Sequence, residues 1–250
     1  MNNDKIAVQL YTLRDLTSRD MLGTLRELAA MGYSAVELAG YGDSSPADIR
    51  AELDRLGMRA ISMHIGVDAL KTDAEKTLAD ARTLGCEFAV VAYVAEERRR
   101  TAEQVREFGP LFNSYGAICR DAGLRFVYHN HNFEFAPLDG TTMFDMLVEG
   151  TDPMLVGLEL DVYWAQFAGV DPVAVLKRLA GRVPLLHAKD MADDEKRSDM
   201  PVGEGMLPWN DILAASAAAG VEYYIVEQDN PRDPLPDVAQ SLQNLRKMPV

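Results

Sequence analysis

Four apolar, strand-like runs in the second half of the chain finish in side chains able to bind a metal ion: Arg125–Glu134, Val156–Asp161, Val183–Asp190 and Tyr223–Asp229. A buried strand that ends in His, Asp or Glu must give those groups something polar to meet, because an unpaired buried charge is costly. On a strand, residues two apart face the same way, so His129 and His131, Glu159 and Asp161, and His187 and Lys189 each project as a pair. A lone strand-end Asp161 reads as a cap or ion-pair partner. Asp161, His187 and Glu227 at three successive strand ends read as one site. Mixed carboxylate and imidazole donors with no nearby cysteine suit a divalent ion of the Mn, Mg, Zn or Co kind. Glu159, lower in its strand, reads as a buried hydrogen-bonded support. Lys189 reads either as an ion-pair partner of Asp190 or Glu204 or as a cation that polarises a substrate oxygen. Gln9, Tyr11, Glu37, His64, Tyr93 and Trp164 lie at further strand ends, and aromatic rings beside polar groups suit a sugar, whose C–H faces stack while its hydroxyls take hydrogen bonds.

The elements that position these residues follow one grammar. A helical stripe over Met21, Leu22, Leu25, Leu28 and Ala29 stops at Gly32, and Ala35–Leu38 follows as a strand. The same order recurs from Pro46 to Gly57 before Arg59–His64, from Thr72 to Gly85 before Phe88–Tyr93, and from Ala102 to Gly123 before Leu124–His129. Thr141–Glu149 precedes Val156–Asp161, a helix opened by Asp171 and Pro172 and ended by Gly181 precedes Val183–Lys189, and Asp211–Ala219 precedes Tyr223–Glu227. With Ile6–Leu10 at the start and a closing helix over Val238–Met248, this gives about eight strand–helix units, as a single-domain (β/α)8 TIM barrel over residues 1–250 requires. A doubly wound open sheet competes, but Gln9–Arg14, after the first strand, has no glycine for a phosphate-binding turn. In a barrel, functional groups gather at the C-terminal strand ends, which brings Asp161, His187 and Glu227 to one mouth.

Composition narrows the partners. The 39 acidic and 25 basic residues leave a net charge of −14, which opposes the counterion release that drives binding to phosphate backbones, so nucleic acid is not an expected partner. Arg98, Arg99 and Arg100 follow Glu96 and Glu97 and read as a solvated helix entry. No apolar run approaches membrane-spanning length and the N-terminal residues carry no leader pattern, so a cytoplasmic protein without a membrane partner is expected. Cys86 and Cys119 lack metal-type spacing and read as free core thiols. A homo-oligomer is compatible with all of this.

At these residues the chain resembles the sugar phosphate isomerase/epimerase family of the xylose isomerase-like TIM barrel superfamily, which also contains the apurinic endonucleases. The resemblance rests on Tyr128–Phe135 (YHNHNFEF), Glu159–Trp164 (ELDVYW), Leu186–Asp190 (LHAKD) and Val226–Asp229 (VEQD), with Gly203-Glu204-Gly205 and Trp209 similar to the loop before the last unit. It implies a divalent ion held by Glu, Asp, His and Glu from the fifth to eighth strands, with the two glutamates exchanging protons with a substrate carbon. Asp161, His187 and Glu227 match three of these. The first glutamate does not carry over, because its position holds His129. Either His129 replaces that ligand, or Glu134 folds back to the metal and frees His129 and His131 for proton transfer.

The working expectation takes the second arrangement: Glu134, Asp161, His187 and Glu227 as ligands, His129, His131, Lys189 and Glu227 as catalytic groups, and Tyr11, His64, Trp164 and Glu204 as substrate contacts. The expected activity is isomerisation or epimerisation of a ketose or keto-sugar by proton removal next to a carbonyl, through an enediolate. A lyase or dehydratase acting on keto-glycosides or inosose-like rings is the chemical alternative. An apurinic endonuclease and a non-catalytic sugar-binding barrel are the remaining classes, the former disfavoured by four histidines in all and by the charge of −14.

Overall fold

Glycines in the left-handed region end four of the helices and turn the chain toward the next strand. Gly32, Gly57, Gly85 and Gly220 hold φ of 100°, 68°, 77° and 85° and bond their N–H groups back to the last helical turn, a conformation glycine adopts without the penalty a side chain would bring. Ser45 and Asp48 close a capping box at the start of Pro46–Leu56, which satisfies amide groups that the first helical turn leaves free.

The computed structural model describes residues 1–249. Eight parallel strands form a closed barrel: β1 Ile6–Gln9, β2 Ala35–Leu38, β3 Arg59–Ile65, β4 Phe88–Val91, β5 Arg125–His129, β6 Val156–Asp161, β7 Leu185–Ala188 and β8 Tyr223–Val226. The strands run in sequence order around the barrel and β8 returns to β1 through Ile6 opposite Tyr224. The (β/α)8 architecture is therefore as expected. The register sets the site: Gln9 lies opposite Glu37, His129 opposite Glu159, and Asp161 opposite His187. Below these polar ends the interior is filled by Ala7, Ala35, Ile61, Phe88, Val90, Val127, Leu185 and Ile225, each fully buried. The larger apolar cluster lies between the strands and the surrounding helices.

Three boundaries differ from the sequence expectation for local reasons. The helix expected from Ala102 is two helices, Ala102–Arg106 and Phe108–Asp121, because Pro110 has no N–H to bond the Arg106 carbonyl. The helix expected from Thr72 begins at Ala74, where the Asp73 side chain accepts from the Lys76 amide. Thr141 and Thr142 pair with Pro137 and Leu138 in a short hairpin, and Thr142 caps the helix Met143–Gly150.

Candidate active site

At the C-terminal mouth, His129 from β5, Asp161 from β6, His187 from β7 and Glu227 just after β8 bring one donor atom each to within 4.8 Å of one another. His129 Nε2 is 3.6 Å from Asp161 Oδ2. His187 Nδ1 is 2.8 Å from Glu227 Oε2 and 3.9 Å from Asp161 Oδ2. Asp161 faces two ways. Its Oδ1 accepts from the Trp164 amide and caps the helix Val162–Phe167, while its Oδ2 is buried with no hydrogen-bond partner. The Asn130 side chain bonds both the N–H and the C=O of Asp161, fixing the two strand ends side by side. Both ring nitrogens of His129 also lack a partner. Buried polar atoms are ordinarily satisfied, so the unpaired His129 nitrogens and Asp161 Oδ2, converging with the His187–Glu227 pair, fit a divalent cation in donor type, number and burial.

Glu134, the fourth ligand of the working expectation, is not brought to this cluster. It sits on a short turn, Phe133–Phe135, where Oε1 accepts from the Tyr128 hydroxyl at 2.6 Å and Oε2 from the His131 amide at 2.7 Å. Both oxygens are used in fixing the Tyr128–His131 segment. Its place among the converging donors is taken by His129.

Lys189 is fully buried, but neither Asp190 nor Glu204 is its partner. Its ammonium donates to Asp229, lies 3.9 Å from Asp199 and from Glu227, and packs 4.8 Å from the Trp164 ring centroid and 4.9 Å from that of Tyr163. Asp190 instead accepts from the amides of Met191, Gly203, Gly205 and Leu207 and from the Trp209 indole. It therefore staples the loop that carries Gly203-Glu204-Gly205. A Cβ on Gly205 would lie 2.3 Å from Asp190 Oδ1, so that position admits no side chain without loss of the staple. Glu204 is exposed on this loop, outside the group that meets at the mouth. The sequence carried one signal of the staple, an Asp shortly before a Gly-x-Gly-x₃-Trp stretch.

A cavity of about 360 Å³ opens above the cluster, lined by Tyr11, His64, Tyr93, His129, His131, Glu227 and Asp229. Tyr11 and Tyr93 are 43% and 53% exposed, which leaves ring faces free at the rim. His131 stacks on Phe133 and meets Tyr93 edge-on, and the Arg99 guanidinium caps the other ring at 3.6 Å from the Phe133 centroid. Trp164 is set back from the cavity wall against Lys189 and His131. Thus Tyr11, His64 and His131 reach the cavity, whereas Trp164 and Glu204 are not among its walls.

The electrostatics follow from burial. Burial pushes His129 well below the usual imidazole value, and His187 beside it adds to this. His131 is lowered to about 3, by burial and then by His129. Burial raises Asp161, and raises Asp229 to about 6 with the help of the Glu227 charge. Burial also opposes the charge on Glu227, but His187 and Lys189 outweigh it and hold Glu227 below the ordinary carboxylate range. Burial also opposes the charge on His187, but Glu159 and Glu227 outweigh it and raise His187 well above the usual imidazole value. The mouth therefore holds two neutral imidazoles, His129 and His131, beside the His187–Glu227 ion pair, whose proton a bound cation would displace.

Residues 25–248 match the model of a family described as xylose isomerase-like TIM barrel. An inosose dehydratase from Geobacillus kaustophilus is 30% identical over 194 residues, covering 68% of this chain. That match spans only 62% of the relative's length. A solved sugar phosphate isomerase/epimerase from Parabacteroides distasonis superposes with a TM-score of 0.87 at 26% identity, over 100% of this chain and 96% of the other. The IOLI protein, solved with a zinc atom bound, shares the fold at a TM-score of 0.76 and 16% identity, over 97% of this chain and 95% of its own.

Proposed function

The chain belongs to the xylose isomerase-like TIM barrel family, and from that premise we propose that it is a metal-dependent enzyme that removes a proton next to the carbonyl of a ketose, keto-sugar or inosose-like ring. The observation that carries this reading is the set of unpartnered buried atoms on His129 and Asp161, beside His187 and Glu227, at the floor of an aromatic-rimmed cavity. His129, Asp161, His187 and Glu227 would hold the ion. When bound, a divalent ion there supplies Lewis acidity toward adjacent carbonyl and hydroxyl oxygens and so acidifies the C–H between them.

The chain's own residues do the rest. Glu227, charged and open to the cavity, takes the proton from carbon. Lys189 stays behind the carboxylates and steadies the negative charge of Glu227 and Asp229 without reaching the cavity wall. Tyr11 and Tyr93 offer ring faces to the C–H side of the substrate. His131, neutral and lining the cavity, lies where it can pass a proton to or from a substrate oxygen.

The resulting enediolate has two fates. Return of the proton to a carbon gives an isomerase or epimerase, in keeping with the Parabacteroides relative. Departure of a neighbouring hydroxyl gives a dehydratase, in keeping with the Geobacillus relative. The second fate has an observation of its own: His129 stands where the family places a second glutamate, so one carboxylate base, Glu227, faces a histidine-lined wall. Incubating the Mn²⁺-loaded protein in D₂O with a panel of ketoses and inososes, followed by NMR, tests both. Deuterium at the carbon next to the carbonyl supports the proton removal, and loss of a neighbouring carbinol signal to a 2-hydroxyenone or its 1,2-diketone tautomer identifies the dehydratase. Neither signal with any substrate, from a metal-replete protein, would contradict the proposal.

A further inference from the structure

Beneath the cluster described above, one strand layer deeper, lies a second group that the proposed reaction does not use: Glu37 from β2, His64 from β3 and Glu159 from β6, with the far nitrogen of His187 beside them. Glu37 and Glu159 are fully buried and the His64 side chain is 17% exposed. His64 Nε2 is 3.0 Å from Glu37 Oε1 and 3.4 Å from Glu159 Oε2. The same nitrogen is also 3.0 Å from Gln9 Nε2.

The Gln9 side chain packs against the same group: its Oε1 accepts from the Tyr11 amide and its Nε2 donates to Glu37 at 2.6 Å. His64 Nε2 and one oxygen each of Glu37 and Glu159 converge on one point, where a cation can replace the imidazole proton that otherwise joins them. Four oxygen or nitrogen ligands about 2.1 Å from a zinc-like ion are spaced about 3.4 Å apart in a tetrahedral site, close to the separations seen here.

One further observation points the same way. Glu159 Oε1 is fully buried and has no hydrogen-bond partner, which a closed hydrogen-bond network would not leave.

We propose that Glu37, His64 and Glu159 bind a second divalent cation below the first, with the His187 Nε2–H donating to Glu37 at 2.9 Å and so linking the two sites. The Ser62 hydroxyl holds the other oxygen of Glu37 in place. His64 lines the cavity, which gives the ion a route of entry. The inference rests on the geometry of this group and not on the reaction proposed above.

The test is the metal content of the full-length protein loaded with Zn²⁺ or Mn²⁺, freed of excess by gel filtration and measured by elemental analysis, with circular dichroism as the check on folding. Two equivalents are expected in the wild type, and one each in His64→Ala, Glu159→Gln and His129→Ala. A Co²⁺ titration of the wild type should show two saturating phases in its visible absorption, and His64→Ala only one. One equivalent in the wild type, unchanged in folded His64→Ala and Glu159→Gln, would overturn the second site. One equivalent lost in His64→Ala but kept in His129→Ala would retain this site and overturn the upper one instead.

Discussion

The two ends of the barrel treat polarity in opposite ways. At the N-terminal end, charges sit outside the apolar plug, where several meet a partner. Arg125 pairs with Glu222 at 2.7 Å, Arg59 lies 3.7 Å from Glu87, and the Tyr223 hydroxyl donates to Glu87 at 2.8 Å. At the C-terminal end the charges point inward, and buried atoms of His129, His131, Glu159, Asp161, Trp164, Asp199 and Gln228 are left without a partner. Away from that end, among the described residues, only the Tyr115 hydroxyl shares this condition. One end is built for stability and the other is held together by the rest of the fold while keeping its donors free. Stability and function should therefore separate by position along the barrel axis.

The largest effect that separates them is at His187. His187→Ala should reduce metal affinity and turnover by more than about 100-fold, because even partners outside the ligand shell are worth 10–100-fold. Elemental analysis and the D₂O exchange assay read this, with the thermal melt reporting whether the fold survives. Phe88, fully buried in the plug, should show the reverse. Phe88→Ala should lower unfolding free energy by about 3–5 kcal/mol in a denaturant titration, while the protein that remains folded binds metal at the wild-type stoichiometry. Metal loss in folded Phe88→Ala would break the comparison.

Glu134 sharpens it further, since it is a mouth residue with a structural task. Burial raises its carboxyl to about 7, above the ordinary value of about 4.3 in an unfolded chain. The folded state therefore binds more protons than the unfolded state between those values, and this group's contribution to stability declines as the pH rises from about 4 to about 7. The decline amounts to about 4 kcal/mol at about 1.4 kcal/mol per unit. Glu134→Gln should flatten that part of the stability-versus-pH curve relative to wild type, and it should keep its metal. An unchanged slope would show that burial does not hold this proton. The smallest effect is expected at the exposed Arg125–Glu222 pair, where Arg125→Ala should shift stability by less than about 1 kcal/mol, with no change in metal content or exchange rate.

What the sequence disclosed follows the same division. The eight units were legible because helix-ending glycines and apolar strands are local signals, and Ala35–Leu38 and Val156–Asp161 fall where the pattern put them. Asp161, His187 and Glu227 were legible as strand-end groups. The choice between His129 and Glu134 was not, because it depends on which way a five-residue segment turns after β5, and that is decided by the Tyr128 hydroxyl and the His131 amide. The same holds for Asp190. Its motif placed it beside Lys189, but four donors from a loop 13 to 19 residues later claim it. Glu37 and Gln9 each interrupt an apolar strand, a visible sign of an inward polar group, but their meeting with His64 and Glu159 depends on barrel closure and strand register. Spacing along the chain carries neither.

The central claim is that His129, Asp161, His187 and Glu227 hold a divalent ion at the mouth, and a crystal of the Mn²⁺-loaded protein tests it most directly through its anomalous difference map. The account predicts a strong peak within coordinating distance of all four side chains, with Glu134 still bonded to Tyr128 and His131. A map with no peak among those four residues, or with the ion seated on a Glu134 that has left Tyr128, would contradict it.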